Sequence, residues 1–223
     1  MRFVRQVFAI VRKDLAMELR TKENLSAMIV FALIVLVIFN FAFELQAVDL
    51  RVVGAGVLWV AFTFSGILGL GRSFAAEKDK GSLEGVLLSP VDRGAIFLGK
   101  TISNFIFITT MQAVTLPLFA ILNNIALPWF PLIPYIVLGT IGFAAVGTVL
   151  SAIAASTKMR EVMLPILLFP VSIPLLMAAV KLTGGALQSL DFSQLAWWFN
   201  ILLLYDVVFL VVAFWVFEYV VEE

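Results

Sequence analysis

The run LSAMIVFALIVLVIFNFAF, Leu25–Phe43, contains no Asp, Glu, Lys or Arg. At 1.5 Å of rise per residue, about 20 apolar residues in a helix cross the roughly 30 Å of hydrocarbon in a bilayer. The run therefore predicts a membrane span. The same reading finds five more, at Val53–Leu70, Thr101–Leu122, Pro131–Ala155, Val162–Val180 and Phe199–Tyr219. The expected fold class is all-α integral membrane, one domain over 1–223 with six transmembrane helices and an interfacial segment over 1–24.

Composition agrees. The 223 residues are 62% hydrophobic and only 13% charged, where soluble domains carry about 25% charged residues. Too little polar surface remains to cover a water-soluble globule. With no cysteine, disulfides, thiolate metal sites and CxxC redox chemistry are excluded. With no histidine, the commonest metal ligand and general base are missing. No intramembrane pair of acids and no Ser–Lys dyad stands out, so neither a catalytic nor a metal site is expected. A net charge of zero offers no global field for nucleic acid.

The charges are unevenly placed. Arg2, Arg5, Arg12, Lys13, Arg20 and Lys22 precede the first span, Arg72, Lys78, Lys80, Arg93 and Lys100 flank the second connection, and Lys158 and Arg160 lie in the fourth. The odd-numbered connections hold only Arg51 and Lys181. By the positive-inside rule, the N-terminus and even connections are cytoplasmic. Six spans return the acidic end, Glu218, Glu222 and Glu223, to that side. On a helical wheel Arg2, Arg5, Arg12, Lys13 and Arg20 share an arc of roughly 100°, with Val4, Val7, Phe8, Val11 and Leu15 facing away. This predicts a basic amphipathic helix in the headgroup layer, in contact with membrane lipid. Asp14 and Glu18 intrude on its apolar side, which suits packing against protein.

Between spans two and three lies EKDKGSLEGVLLSPVDRGAIFLGK, Glu77–Lys100. Gly81 breaks the preceding structure, Ser82 is an N-cap candidate, and Glu84 falls in the first turn. Leu83, Val86 and Leu87 form an i, i+3, i+4 apolar face. Pro90 stops this short helix, and Asp92 is a candidate N-cap for the next, which runs through Gly99 and Lys100 into span three. A helix under about 12 residues is unstable alone, so lipid or protein must cover its apolar face.

In this insert Glu77, Gly81, Leu83-Glu84, Leu87, Pro90 and Gly99-Lys100 stand in an order that resembles the coupling-helix region of type-2 ABC exporter permeases. The longer run Gly56–Lys100 more specifically resembles the CcmB family, permease-like subunits of cytochrome c maturation systems. LPILLFPVSIPLLMAA, Leu164–Ala179, carries the family's spaced pair Pro170 and Pro174 followed by Leu175-Leu176, and VRKDLAMELRTKE, Val11–Glu23, is also in keeping. The resemblance covers essentially the whole chain. It implies a multi-pass protein of a bacterial or archaeal cytoplasmic membrane, working as a homodimer with a CcmA-like ABC ATPase and a CcmC-like heme-handling membrane protein. The ATPase would dock beneath Ser82–Leu88, with Glu77, Gly81, Ser82, Leu83, Glu84, Leu87 and Pro90 as coupling residues. ATP would be hydrolysed by that partner, so the chain itself is not an enzyme. Heme would be the complex's substrate, either exported or released on a loaded chaperone. Alternatives are an exporter permease for another substrate and a membrane assembly subunit that transports nothing. With neither histidine nor cysteine, the usual strong axial ligands of heme iron are absent, so no cofactor bound by this chain is expected.

GAIFLGKT, Gly94–Thr101, satisfies the bare P-loop pattern. Without a preceding strand, and leading into a span, it is not expected to bind phosphate. Gly147, Ser151 and Ala155, four residues apart, suit close helix packing. Pro165, Pro170 and Pro174 each remove a backbone donor, which gives either a broken, moving helix lining a path or a fixed kink. Asp206, in the outer third of span six, is the one acid well inside a span. Its burial costs about 2.5–3.5 kcal/mol on the insertion scale, so it should either pair with another helix, with Lys181, Tyr205 or backbone carbonyls as candidate partners, or sit protonated. Lys181–Asn200 reads as a polar, glycine-bearing outer connection ending in the interfacial pair Trp197-Trp198.

Overall fold

Apolar side chains cover the outside of this protein and polar ones are tucked between its helices. The computed structural model describes residues 2–44, 50–79, 91–157 and 159–220. These form seven helices: α1 (Arg2–Thr21), α2 (Glu23–Glu44), α3 (Leu50–Asp79), α4 (Arg93–Leu122), α5 (Trp129–Ala155), α6 (Arg160–Leu187) and α7 (Phe192–Val220). All but α1 are long and apolar enough to cross a membrane, and no strand occurs among the described residues. The chain is an all-α integral membrane protein.

The spans are longer than the hydropathy reading placed them. At 30 residues, α3 and α4 measure about 45 Å and overhang the hydrocarbon by about 15 Å. The expected outer connection Lys181–Asn200 is corrected: α6 continues to Leu187 and α7 begins at Phe192. Thr183, Gly184 and Gly185, whose composition suggests a loop, are buried within α6. Packing against neighbours outweighs their weak helix propensity. A Cβ on Gly185 would collide with the Leu195 side chain of α7. The turn itself is short, with Ser189 in the left-handed region at φ 57°.

The main core gathers Met28 of α2, Trp59 and Phe62 of α3, Met111 of α4, Leu132 of α5, Leu175 of α6 and Leu202 of α7. A second cluster sits at the end of the bundle that carries α1, where Phe74, Phe97, Val149 and Phe217 meet. Outward lie Ile34, Ile38 and Phe41 of α2 and Leu204, Val211 and Trp215 of α7, all exposed. With lipid outside, burying apolar surface does little to hold helices together; close packing and hydrogen bonds do more. The small residues of α5 fit this: Gly147 seats the Leu70 side chain, and Ser151 and Ala155 are buried.

Helices α4 and α5 are joined by two polar pairs. Asn104 Nδ2 donates to Thr148 Oγ1 at 3.0 Å, and Gln112 Nε2 donates to Thr140 Oγ1 at 2.9 Å. Each step of eight residues along one helix is matched by eight back along the other, as an antiparallel pair requires. Trp59 Nε1 similarly donates to Thr183 Oγ1 of α6 at 3.0 Å. Hydrogen bonds of this kind between spans contribute about 0.6 kcal/mol on average and up to about 1.7 kcal/mol. Asn104→Leu should therefore destabilise the detergent-solubilised chain within that range. The loss should vanish in a Thr148→Val background, as read by a double-mutant cycle of unfolding in mixed micelles.

Candidate functional site

The charged connection expected to engage a partner begins where α3 ends and finishes where α4 starts. Glu77 falls in the last turns of α3. Gly81, Ser82, Leu83, Glu84, Leu87 and Pro90 lie outside the described residues, as does the short helix predicted for them. Beyond them, Asp92 caps α4 as expected, its Oδ1 accepting from Gly94 N at 2.8 Å. Gly94–Thr101 is continuous α-helix. The backbone amides that a phosphate loop would present are here turned into the helix.

Lys100 has another role. Its side chain is 3% exposed, and Nζ lies 3.2 Å from Asp14 Oδ2 of α1. The same ammonium donates to Ser73 O of α3 at 3.2 Å and sits 5.3 Å from the centroid of the Phe74 ring. Asp14 is itself 6% exposed, and the half-exposed Lys13 approaches its Oδ1 at 3.2 Å. The helices can come this close because α4 offers Gly99, where a Cβ would meet Ile10 of α1 at 2.8 Å. A lysine amid the apolar residues of a span is tolerable here because carboxylate, carbonyl and ring together replace its water.

The expected basic helix forms, but its apolar side divides. Val11 and Asp14 are buried against the bundle, while Val4, Phe8 and Leu19 remain exposed. The charged arc of Arg2, Arg5, Arg12, Lys13 and Arg20 is exposed throughout. Glu18, the second acid on the apolar side, reaches across the turn, where its Oε1 accepts from Leu25 N of α2 at 2.7 Å. Lys22 makes that turn in the left-handed region, at φ 56°. A pocket of about 130 Å³ opens beside this joint, lined by Asp14, Glu18, Glu23, Arg72 and Lys100 among others. Asp14 and Glu18 are legible in sequence as misfits on an apolar face. Their partners are not, since 86 residues separate Asp14 from Lys100.

The three prolines of α6 do not break it; the helix runs unbroken through Pro165, Pro170 and Pro174. Pro170 and Pro174 lie on its exposed face. Two corrections concern Asp206. It stands at the midpoint of the 29-residue α7, because that helix starts earlier than its hydropathy suggests. Neither expected side-chain partner engages it: Lys181 is exposed, and Tyr205 Oη donates to Val171 O of α6 at 3.2 Å. Among the described residues, no group of three His, Cys, Asp or Glu side chains could hold a metal ion.

These elements define a polytopic helical membrane protein. Its polar interior is stitched together helix by helix, and the flanks of its charged connection are fixed to an amphipathic N-terminal helix. The chain belongs to the CcmB protein family, whose profile matches residues 5–222. It is 26% identical to heme exporter protein B of Rhodobacter capsulatus over 82% of this chain and 84% of that protein. It is 27% identical to heme exporter protein B of Pseudomonas aeruginosa, over 80% and 81% respectively. It is 26% identical to the protein of the same name from Paracoccus denitrificans, over 80% and 83%.

Breaking a buried ion pair from one side leaves the other charge uncompensated and costs about 3–5 kcal/mol. Asp14→Ala and Lys100→Ala should each destabilise the chain by about that much. Asp14→Leu combined with Lys100→Met should recover most of the loss, as measured by thermal unfolding in detergent. A double-variant loss as large as the two single losses added together would show that the pair is not coupled.

Proposed function

We propose that this chain is the membrane permease subunit of an ATP-driven complex that exports heme for cytochrome c maturation. The observation that carries the reading is the family match across residues 5–222, with relatives named heme exporter protein B matched over 84% and 81% of their length. Thirteen of the fifteen Lys and Arg residues lie before α2 or beside the even connections, which favours a cytoplasmic N-terminus and, with six spans, a cytoplasmic C-terminus.

In this reading a separate ABC ATPase of the CcmA kind grips the segment from Glu77 to Pro90, with Leu83 and Leu87 as its apolar footing. The continuous helix over Gly94–Thr101 supports placing ATP chemistry on that partner. Force applied to the segment would reach α3 and α4 directly. Through Lys100, held by both Asp14 and Ser73, it would also reach α1. The complete lack of histidine and cysteine supports assigning heme ligation to a CcmC-like partner. This subunit would supply the moving helices, in a homodimer matched to two ATPase subunits.

Affinity purification of the chain from its native membrane in mild detergent should recover an ABC ATPase together with a heme-handling membrane protein. Recovery of an ATPase alone would favour an exporter of another cargo, and recovery of none would overturn the reading. Leu87→Asp should cut ATPase recovery at least tenfold and abolish cytochrome c assembly while the protein still inserts. ATPase association at wild-type levels would sink the coupling role.

A further inference from the structure

Asp206 is the one buried charged residue of α7, and its residue is only 4% exposed. Both Oδ1 and Oδ2 are buried, and neither has a hydrogen-bond partner among the described residues. Its surroundings are assembled from three helices. On α5, Gly142 leaves the room it occupies, for a Cβ there would collide with Asp206 Oδ1 and with Leu175 of α6. On its own helix, Tyr205 turns its hydroxyl away to Val171 O. Nearby on α6, Ser172 Oγ is likewise buried.

The identity of the ligand follows by elimination. The elements packed against α7 are α4, α5 and α6. Helix α5 contains no Asp, Glu, Lys or Arg. On α4, Arg93 stands in the first turn and Lys100 is held by Asp14. On α6, Arg160 and Glu161 begin the helix, and Lys181 is exposed. On α7 itself Glu218 lies near the far end. Among the described residues no side-chain cation therefore faces Asp206, and its burial keeps it from a cation on another chain. A metal ion needs several oxygen ligands, and a single carboxylate is the only acid at this site. An unpaired carboxylate in a low-dielectric interior neutralises instead of staying ionised.

We propose that Asp206 is a proton-binding site in the middle of the spans, occupied at neutral pH, and that its proton keeps α5, α6 and α7 packed together. Loss of the proton places an uncompensated negative charge between α7 and the proline-bearing α6. Those helices must then part enough to admit water. The site is independent of the cargo and of the ATPase.

Infrared difference spectroscopy of the full-length chain in lipid nanodiscs, wild type minus Asp206→Asn, tests the assignment directly. At neutral pH the wild type should show the carbonyl stretch of a protonated carboxylic acid, shifted down in D2O and absent from the variant. A carboxylate band in its place would overturn the proposal. The packing claim has its own reading. The folded chain holds a proton that the unfolded chain, with a carboxyl near the ordinary value of about 3.9, releases. Stability must therefore fall as pH rises, until the folded site empties. From about pH 5 up to the pH at which the folded site empties, the thermal midpoint of the wild type should decline relative to Asp206→Asn, which mimics the neutral acid and has nothing to lose. Parallel midpoints across that range would overturn it.

Discussion

Hydrocarbon offers no hydrogen bonds, and this constraint organises the whole molecule. Each span satisfies its backbone internally by being helical. A polar side chain within a span must then find its partner on a neighbouring helix. Helix α4 shows the result most fully. Lys100 reaches α1 and α3, while Asn104 and Gln112 reach α5. Its buried polar residues thus tie it to three neighbours. Apolar contacts fill the space between these ties, but side chains that lipid would accept equally well cannot specify the register.

That logic gives the two ends of the bundle different characters. At the α1 end, a cation and an anion compensate each other within a cluster of aromatic rings, Phe74, Phe97 and Phe217. Helix α1 has three working faces. The arginine-rich arc points out, Val4, Phe8 and Leu19 are open to lipid, and Val11 with Asp14 is committed to the bundle. A helix that merely floated in the headgroups would have no use for the third face. At mid-depth, by contrast, α7 presents Asp206 to α5 and α6 with no hydrogen-bond partner among the described residues.

The spans were legible because the length of an apolar run is set by the bilayer, whichever neighbours the helix acquires. Their ends were not. Hydropathy falls at Lys181 and rises again at Phe199, yet α6 persists through Thr183, Gly184 and Gly185, since the closeness that glycine permits is rewarded by packing that a linear window does not see. The N-cap at Asp92 was legible because capping is local chemistry. The Asp14–Lys100 pair was half legible: an acid on an apolar face announces a partner without naming it. Even the P-loop pattern at Gly94–Thr101 illustrates the same limit, because spacing is one-dimensional and the fate of Lys100 was decided by α1.

The pair also bears on how the bundle can deform. A buried ion pair is a poor hinge, because separating its members exposes two charges to a medium that solvates neither. Helices α1, α3 and α4 meet at Lys100 and must move there together or not at all. Between α6 and α7, Tyr205 Oη donates to Val171 O at 3.2 Å, beside a helix that has lost three backbone donors to proline. The cost of rearrangement is lowest where bonds are fewest. Rearrangement therefore costs less at the α6–α7 seam than at the α1–α3–α4 joint, where a buried ion pair would have to be separated.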